Sequence, residues 1–95
     1  MNDRARDVLT QAALNGVEQI KGRYADGRGG FCAVGILLED DRKRHGWEWA
    51  NWEGVPARIK ADFGIVATVD FNAIVHANDT LGWDFLTIAR KVGVE

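Results

Sequence analysis

One eight-residue apolar run, Phe31 to Leu38, constrains the fold of this 95-residue chain more than any other feature. A glycine-rich stretch, Tyr24 to Gly30, precedes it, and the charged stretch Glu39 to Gly46 follows it. Alanine and leucine in the run favour a helix, whereas its Val and Ile side chains leave a strand open. We predict a buried helix that follows a glycine-rich loop and ends in a solvated charged turn.

Apolar residues elsewhere recur at three- and four-residue spacing, which is typical of amphipathic helices. This spacing predicts helices over Arg4 to Leu14, Pro56 to Phe63, Phe71 to Asn78 and Trp83 to Val92. Polar residues at their starts are the expected caps: Asn2 or Asp3, Thr68, and Asp79 or Thr80. Gly16 is expected to break the chain after the first helix.

Apolar residues make up 46% of the chain and charged residues 27%, as in ordinary globular domains. We therefore expect an all-α fold, a compact single domain over residues 1–95 with four to five short helices and a glycine-rich loop. Leu81 is expected on the inward stripe of the last helix. The predicted core is Val8, Leu9, Ala12, Cys32, Ile36, Ile59, Phe71, Ile74, Val75, Phe85 and Ile88.

Charge and cysteine content narrow the possible functions. The net charge of −2 disfavours nucleic-acid binding, which draws on a positive field. The apolar run is far shorter than the ~20 residues of a membrane-spanning helix, and the start of the chain does not resemble an export signal. A single cysteine, Cys32, excludes an intrachain disulfide. These features favour a cytoplasmic protein without membrane contact.

Two segments resemble small proteins of bacteria and their phages. The first is the run Gly30 to Leu37, with its Cys-Ala-x-Gly pattern, and the second runs from Ile74 to Asp79 and continues into Phe85 to Ala89. The proteins that they resemble pair such a helix with a later Asn-Asp turn and a closing helix. The resemblance implies a compact helical fold and brings no established activity with it.

Cys32 lies near the start of a predicted helix, where backbone amides and the helix dipole lower a thiol pKa. A cysteine hydrolase, or an inactive relative of one, would combine it with His76 and with Asn78 or Asp79 as the orienting group. An unpaired cysteine among apolar neighbours is more often a small buried side chain. An Asx turn between two helices is likewise the more common role of an Asn-Asp pair.

Cofactor and metal sites are not expected. His45 lies in the charged turn and is expected to have no second ligand at helical spacing, so a mononuclear metal site is unsupported. Gly27, Gly29 and Gly30 before a helix suit a structural turn better than a phosphate cradle, because no lysine follows them.

Tryptophan is abundant for so short a chain, with Trp47, Trp49 and Trp52 close together and Trp83 apart. Aromatic side chains with wet edges are favoured anchors at protein interfaces, although they also enlarge small cores. The basic cluster with Arg42 and Arg44 immediately precedes them. The sequence thus favours a protein-interaction module that binds a protein partner. The resemblance to small phage proteins implies one version of it, an anti-CRISPR or similar counter-defence inhibitor of a host system.

Overall fold

The structure is a computed structural model that describes residues 1–46, 48, 62–65 and 67–92, with backbone only for residues 67–71. In this part of the chain helices predominate, and a small sheet accompanies them. The helices are α1 (Asp3–Leu14), α2 (Ala33–His45), α3 (Ala67–Asp79) and α4 (Phe85–Lys91). The strands are β1 (Glu18–Gln19) and β2 (Gly30–Phe31).

The predicted helical fold is confirmed in its main point, but the all-α description is wrong in one respect. β1 and β2 pair in parallel, with Glu18 opposite Gly30 and Gln19 opposite Phe31. The Ile20 amide extends the pairing by donating to the Phe31 carbonyl at 3.1 Å. Strands of two residues are too short to show an alternating pattern, so periodicity could not reveal them.

Three of the four predicted helices fall within the described residues, and the structure contains all three. The predicted helix Pro56 to Phe63 lies mostly outside the described residues. The apolar run forms α2 only from Ala33 onward, because Phe31 belongs to β2 and Cys32 caps the helix.

The caps were predicted less well than the helices. Asn2 caps α1 by accepting a hydrogen bond from the Ala5 amide at 3.0 Å, as expected. Thr68 does not precede α3 as expected of a cap, because the helix already includes Ala67, a strong helix former. Neither Asp79 nor Thr80 caps the last helix, because α3 continues through Asp79.

Asp84 is the cap of α4. Its Oδ1 accepts a hydrogen bond from the Thr87 amide at 2.8 Å. The chain reaches Asp84 through a turn in which Gly82 adopts a left-handed conformation, φ 68°. The final helix therefore starts two residues later than the predicted Trp83.

The core lies between α1, α2 and α4, with α3 packed on α2 and α4. Arg6 of α1 reaches the end of α4, where its guanidinium donates to the carbonyls of Ala89 and Val92. Those carbonyls belong to the last turn, which the helix itself leaves without partners. Arg4 adds an ion pair with Asp40 of α2 at 3.1 Å. Two arginines of α1 thus tie the first helix to the others.

Most of the predicted core residues are buried. Val8 and Val75 are half-buried and pack against the core, whereas Ile59 and the side chain of Phe71 lie outside the described residues. The predicted core residues that the structure buries are Leu9, Ala12, Cys32, Ile36, Ile74, Phe85 and Ile88. The placement of Leu81 on the inward stripe is wrong, because this side chain precedes α4 and is 48% exposed.

Removing the buried Phe85 side chain should reduce stability much more than removing the exposed Leu81 side chain. Phe85→Ala empties a packed site, since the side chain is 2% exposed, and should lower the free energy of unfolding by about 3–5 kcal/mol. Leu81→Ala should change it by less than about 1 kcal/mol, because much of that side chain already faces water. Urea denaturation of both variants is the check, and equal losses would contradict the packing described here.

Candidate functional site

A cavity of about 400 Å³ lies where the N-terminus of α2 faces the end of α3. Cavities of this size suit small ligands. Residues of the loop before β2 form a third side of this cavity. Polar and apolar groups share the wall: Gly22, Arg23, Tyr24, Cys32, Val34, Asn72, Val75, Asn78 and Asp79.

Cys32 is the N-cap of α2, so the sequence placed this residue correctly at a helix start. Its Sγ accepts a hydrogen bond from the Gly35 amide at 3.3 Å, and its own amide donates to the Tyr24 carbonyl at 3.1 Å. Burial raises the pKa of the Cys32 thiol, and nearby Asp79 adds to the rise, against the opposing hydrogen bonds from the Gly35 and Val34 amides. Desolvation thus outweighs the amides that would lower this pKa, and the burial of Cys32 agrees with the more common role of a small buried side chain.

Gly35 explains how the loop can lie so close to α2. A Cβ atom built on Gly35 would stand 1.8 Å from the Tyr24 carbonyl oxygen, which is an impossible contact. A glycine within a helix weakens it, and here the weakness is offset by the close approach that the missing side chain allows. Burial also raises the pKa of Tyr24, with a smaller contribution from Cys32.

Asn78 joins three parts of the chain and is 1% exposed. Its Oδ1 accepts hydrogen bonds from Gln19 Nε2 at 2.7 Å and from the Ala33 amide at 3.0 Å. Its Nδ2 donates to the Ile20 carbonyl at 2.9 Å and to Asp79 Oδ1 at 2.7 Å. Both donor positions and both acceptor positions of the side-chain amide are therefore occupied.

The Asx-turn interpretation of Asn78 and Asp79 is therefore wrong. Both residues are the last of α3, and Asn78 Oδ1 accepts from partners 45 and 59 residues away in sequence. An Asx turn would bind its own backbone two residues on. A sequence pattern shows only local partners, so the long-range role of Asn78 was missed.

His76 does not line the cavity of Cys32. It is exposed, and it lines a separate groove of about 270 Å³ with Leu81, Trp83 and Lys91 among its neighbours. Lys91 Nζ lies 5.4 Å from the centre of the Trp83 ring, within the range of a cation–π contact. Of the alternative catalytic residues, Cys32 and Asp79 share one cavity and His76 belongs to the other.

Arg42 and Arg44 lie in the last turns of α2 and bind acidic partners within the chain. Arg42 Nε donates to Glu39 Oε1 at 2.9 Å. Arg44 Nε donates to Asp40 Oδ2 at 2.9 Å, and its guanidinium lies 5.3 Å from the centre of the Phe63 ring. The acidic residues thus neutralise the basic cluster locally, as the sequence indicated. Trp47, Trp49 and Trp52 lie outside the described residues.

The charged stretch is not wholly solvated, because Asp41 is fully buried. One turn later in α2, His45 Nε2 lies 3.5 Å from Asp41 Oδ1 and 3.2 Å from Asp62 Oδ2. The expectation that His45 has no second ligand at helical spacing is wrong, since residues four apart share a helix face. The three donor atoms lie within 4.8 Å of one another.

Removing Asn78 should loosen the start of α2. Asn78→Ala leaves the Ala33 amide and the Ile20 carbonyl without this partner, and a buried group without one costs about 1–3 kcal/mol. We expect a loss of about 3 kcal/mol or more in the free energy of unfolding. Asn72→Ala removes an exposed amide from the same helix and should change stability by less than about 0.5 kcal/mol. A similar small effect of both substitutions in thermal denaturation would refute the role of Asn78.

Cys32 should react slowly with thiol reagents in the folded protein. The side chain is 6% exposed and its pKa is raised, so the thiolate forms only at a higher pH than in a free cysteine. We expect labelling by a maleimide at pH 7 to be much slower in the folded protein than in urea. The rate in the folded protein should still be rising at pH 9. Fast labelling with an acidic midpoint would instead support a nucleophilic role.

The helices that the structure describes include none with both the length and the apolarity to cross a bilayer. Comparison of the chain with protein-family models, with curated proteins and with solved structures gives no match.

Proposed function

We propose that this chain is a protein-interaction module that binds a protein partner without catalytic turnover or a cofactor. The proposed contact surface is the charged end of α2 together with the aromatic segment that follows, from Arg42 to Trp52. The arrangement of Arg42 and Arg44 supports this proposal most directly. Both side chains are about one-third exposed and are held by acidic neighbours at the point where the aromatic segment begins.

Fixed arginines are well suited to recognition. Binding costs about 0.5–1.5 kcal/mol for each flexible side chain that it immobilises, and an ion pair within the module reduces that cost in advance. Arg42 is held by Glu39, and Arg44 is held by Asp40 and Asp62. Tryptophan and arginine are also the residue types that most often dominate binding energy at interfaces. The surface thus combines both residue types in a stretch of eleven residues.

The alternative, a cysteine hydrolase or an inactive relative with Cys32, His76 and Asp79, has less support. A cysteine nucleophile needs a base within hydrogen-bond reach and a lowered pKa. His76 lines a different groove from Cys32, and the pKa of Cys32 is raised. Cys32 instead has a structural task, since it caps α2.

The resemblance to small bacterial and phage proteins suggests a more specific form of the proposal, an inhibitor of a host defence such as CRISPR. Such an inhibitor acts by occupying a surface of a host protein, which requires an interface and no chemistry. Expression of the protein in bacteria with an active CRISPR system tests this form. Restored plaque formation by a targeted phage would support it, and unchanged immunity at confirmed expression would refute this form alone.

Tryptophan substitutions test the proposed surface. Trp49→Ala and Trp52→Ala should each weaken binding of an affinity-captured partner by roughly 30-fold, which corresponds to about 2 kcal/mol. Arg42→Ala should mainly slow association and reduce the salt dependence, because its charge lies at the edge of the surface. The measurement is surface plasmon resonance with the partner recovered from the native host.

Stability and a distant apolar substitution provide the controls. Leu14→Ala removes a side chain that is 72% exposed at the end of α1, and binding should be unaffected. The melting temperature of each tryptophan variant shows whether a loss of binding comes from the surface or from unfolding. If Trp49→Ala and Trp52→Ala lower the melting temperature sharply, these residues belong to the core and the proposed surface is wrong.

A further inference from the structure

The end of α2 brings together an imidazole and two carboxylates from two separate stretches of the chain. We call Asp41, His45 and Asp62 the Asp-His-Asp cluster. Asp41 and His45 face the same way because they are one helical turn apart, and Asp62 joins them from a segment 17 residues further along. The cluster lies apart from the cavity of Cys32 and borders the proposed interaction surface, because His45 follows Arg44 and Asp62 also contacts Arg44.

Two of the three distances between donor atoms are close to those of a tetrahedral metal site. Zinc binds imidazole nitrogen at about 2.0–2.1 Å and carboxylate oxygen at about 2.0–2.2 Å, so two tetrahedral ligands stand roughly 3.3–3.6 Å apart. His45 Nε2 lies 3.2 Å from Asp62 Oδ2 and 3.5 Å from Asp41 Oδ1. The three donor atoms all lie within 4.8 Å of one another, so modest side-chain movements would bring them around one ion.

The surrounding structure holds these donors in place. The Asp41 side chain is fully buried on α2, which fixes its position, whereas the His45 side chain is 40% exposed and leaves a path from solvent. Asp62 is held by its backbone, because its carbonyl accepts a hydrogen bond from Asn2 Nδ2 at 2.9 Å. The next carbonyl, of Phe63, accepts from the Asn2 amide at 2.8 Å. Rigid ligands with one open side are typical of sites that keep a water molecule as fourth ligand.

Arg44 is the described cation that competes with a metal. Its Nη2 lies 3.3 Å from Asp62 Oδ2, while its Nε donates to Asp40 at 2.9 Å. Metal binding would give up only the longer of these contacts, because Asp40 is not a member of the cluster. Arg44 would then stay paired with Asp40, which also binds Arg4.

We propose that the Asp-His-Asp cluster binds a divalent transition metal ion of the zinc class. Asp41, His45 and Asp62 supply three ligands, and water supplies the fourth. Imidazole with carboxylate suits zinc better than calcium or magnesium, which prefer oxygen ligands alone. A bound ion would cross-link the end of α2 to Asp62 and so stabilise the folded chain. This proposal does not rest on the proposed function, since zinc binding can be measured whether or not a partner binds, although the two share the Arg44–Asp62 contact.

Calorimetric titration with zinc chloride at pH 7.5 tests the proposal on the full chain. We expect one zinc ion per chain, a dissociation constant in the micromolar range or tighter, and a melting temperature that rises with zinc concentration. Cobalt(II) should give the intense visible absorption of a tetrahedral complex. Affinity should fall on acidification, because a protonated imidazole cannot bind metal.

The two histidines of the chain provide a matched pair of variants. His45→Ala should weaken zinc binding by at least about 100-fold, more than the 10–100-fold typical of outer-shell changes. His76→Ala removes an exposed histidine elsewhere and should leave the affinity within about 2-fold. His45→Gln and Asp62→Asn keep the side-chain volume, so circular dichroism of these two variants separates lost binding from lost folding. Absence of zinc binding to the wild-type chain, or equal binding by the His45 variants, would overturn the proposal.

Discussion

The fold depends on one buried amide, the side chain of Asn78. It accepts hydrogen bonds from the first amide of α2 and from Gln19 in β1, and it donates to the Ile20 carbonyl. Gln19 in turn donates to the Trp83 carbonyl just before α4. A backbone amide at a helix start has no partner within its own helix, so a buried helix start needs one from elsewhere. Asn78 therefore fixes where α2 begins relative to the sheet and α3, and the remaining packing follows from that placement.

The fixed start of α2 also explains why Cys32 and Gly35 stand where they do. Once the start of α2 is fixed beside Asn78, the Tyr24 carbonyl lies against the helix, and only glycine fits at position 35. Cys32 caps the helix through its sulfur, as a serine does through its hydroxyl oxygen. The Cys-Ala-x-Gly and Asn-Asp segments of the sequence thus contact each other in the structure, through the hydrogen bond from the Ala33 amide to Asn78. This explains both motifs without any chemistry at the thiol.

Periodicity predicted the helices because each buries a continuous stripe, as Leu9 with Ala12 and Phe85 with Ile88 show. It could not predict β1 and β2, whose two-residue length holds no period. It misplaced Leu81, which precedes a helix that begins only at Phe85. The sites are less predictable from the sequence than the helices. The hydrogen bonds of Asn78 and the contact of His45 with Asp62 join residues that are 17 to 59 apart in sequence. Spacing predicts contacts within one helix, and such contacts between elements depend on the tertiary packing. The pair Asp41 and His45 is the exception, because its four-residue spacing is a signal that the sequence itself contains.

Hydrogen exchange measured by NMR tests the central claim, that Asn78 locks the start of α2. The Ala33 amide should exchange only through global unfolding, with a protection free energy equal to the global stability. In the Asn78→Ala variant it should exchange much faster than amides in the middle of α1. If the wild-type Ala33 amide instead exchanges as fast as those of the loop at residues 22–29, the start of α2 is not locked and Asn78 does not have the role assigned to it.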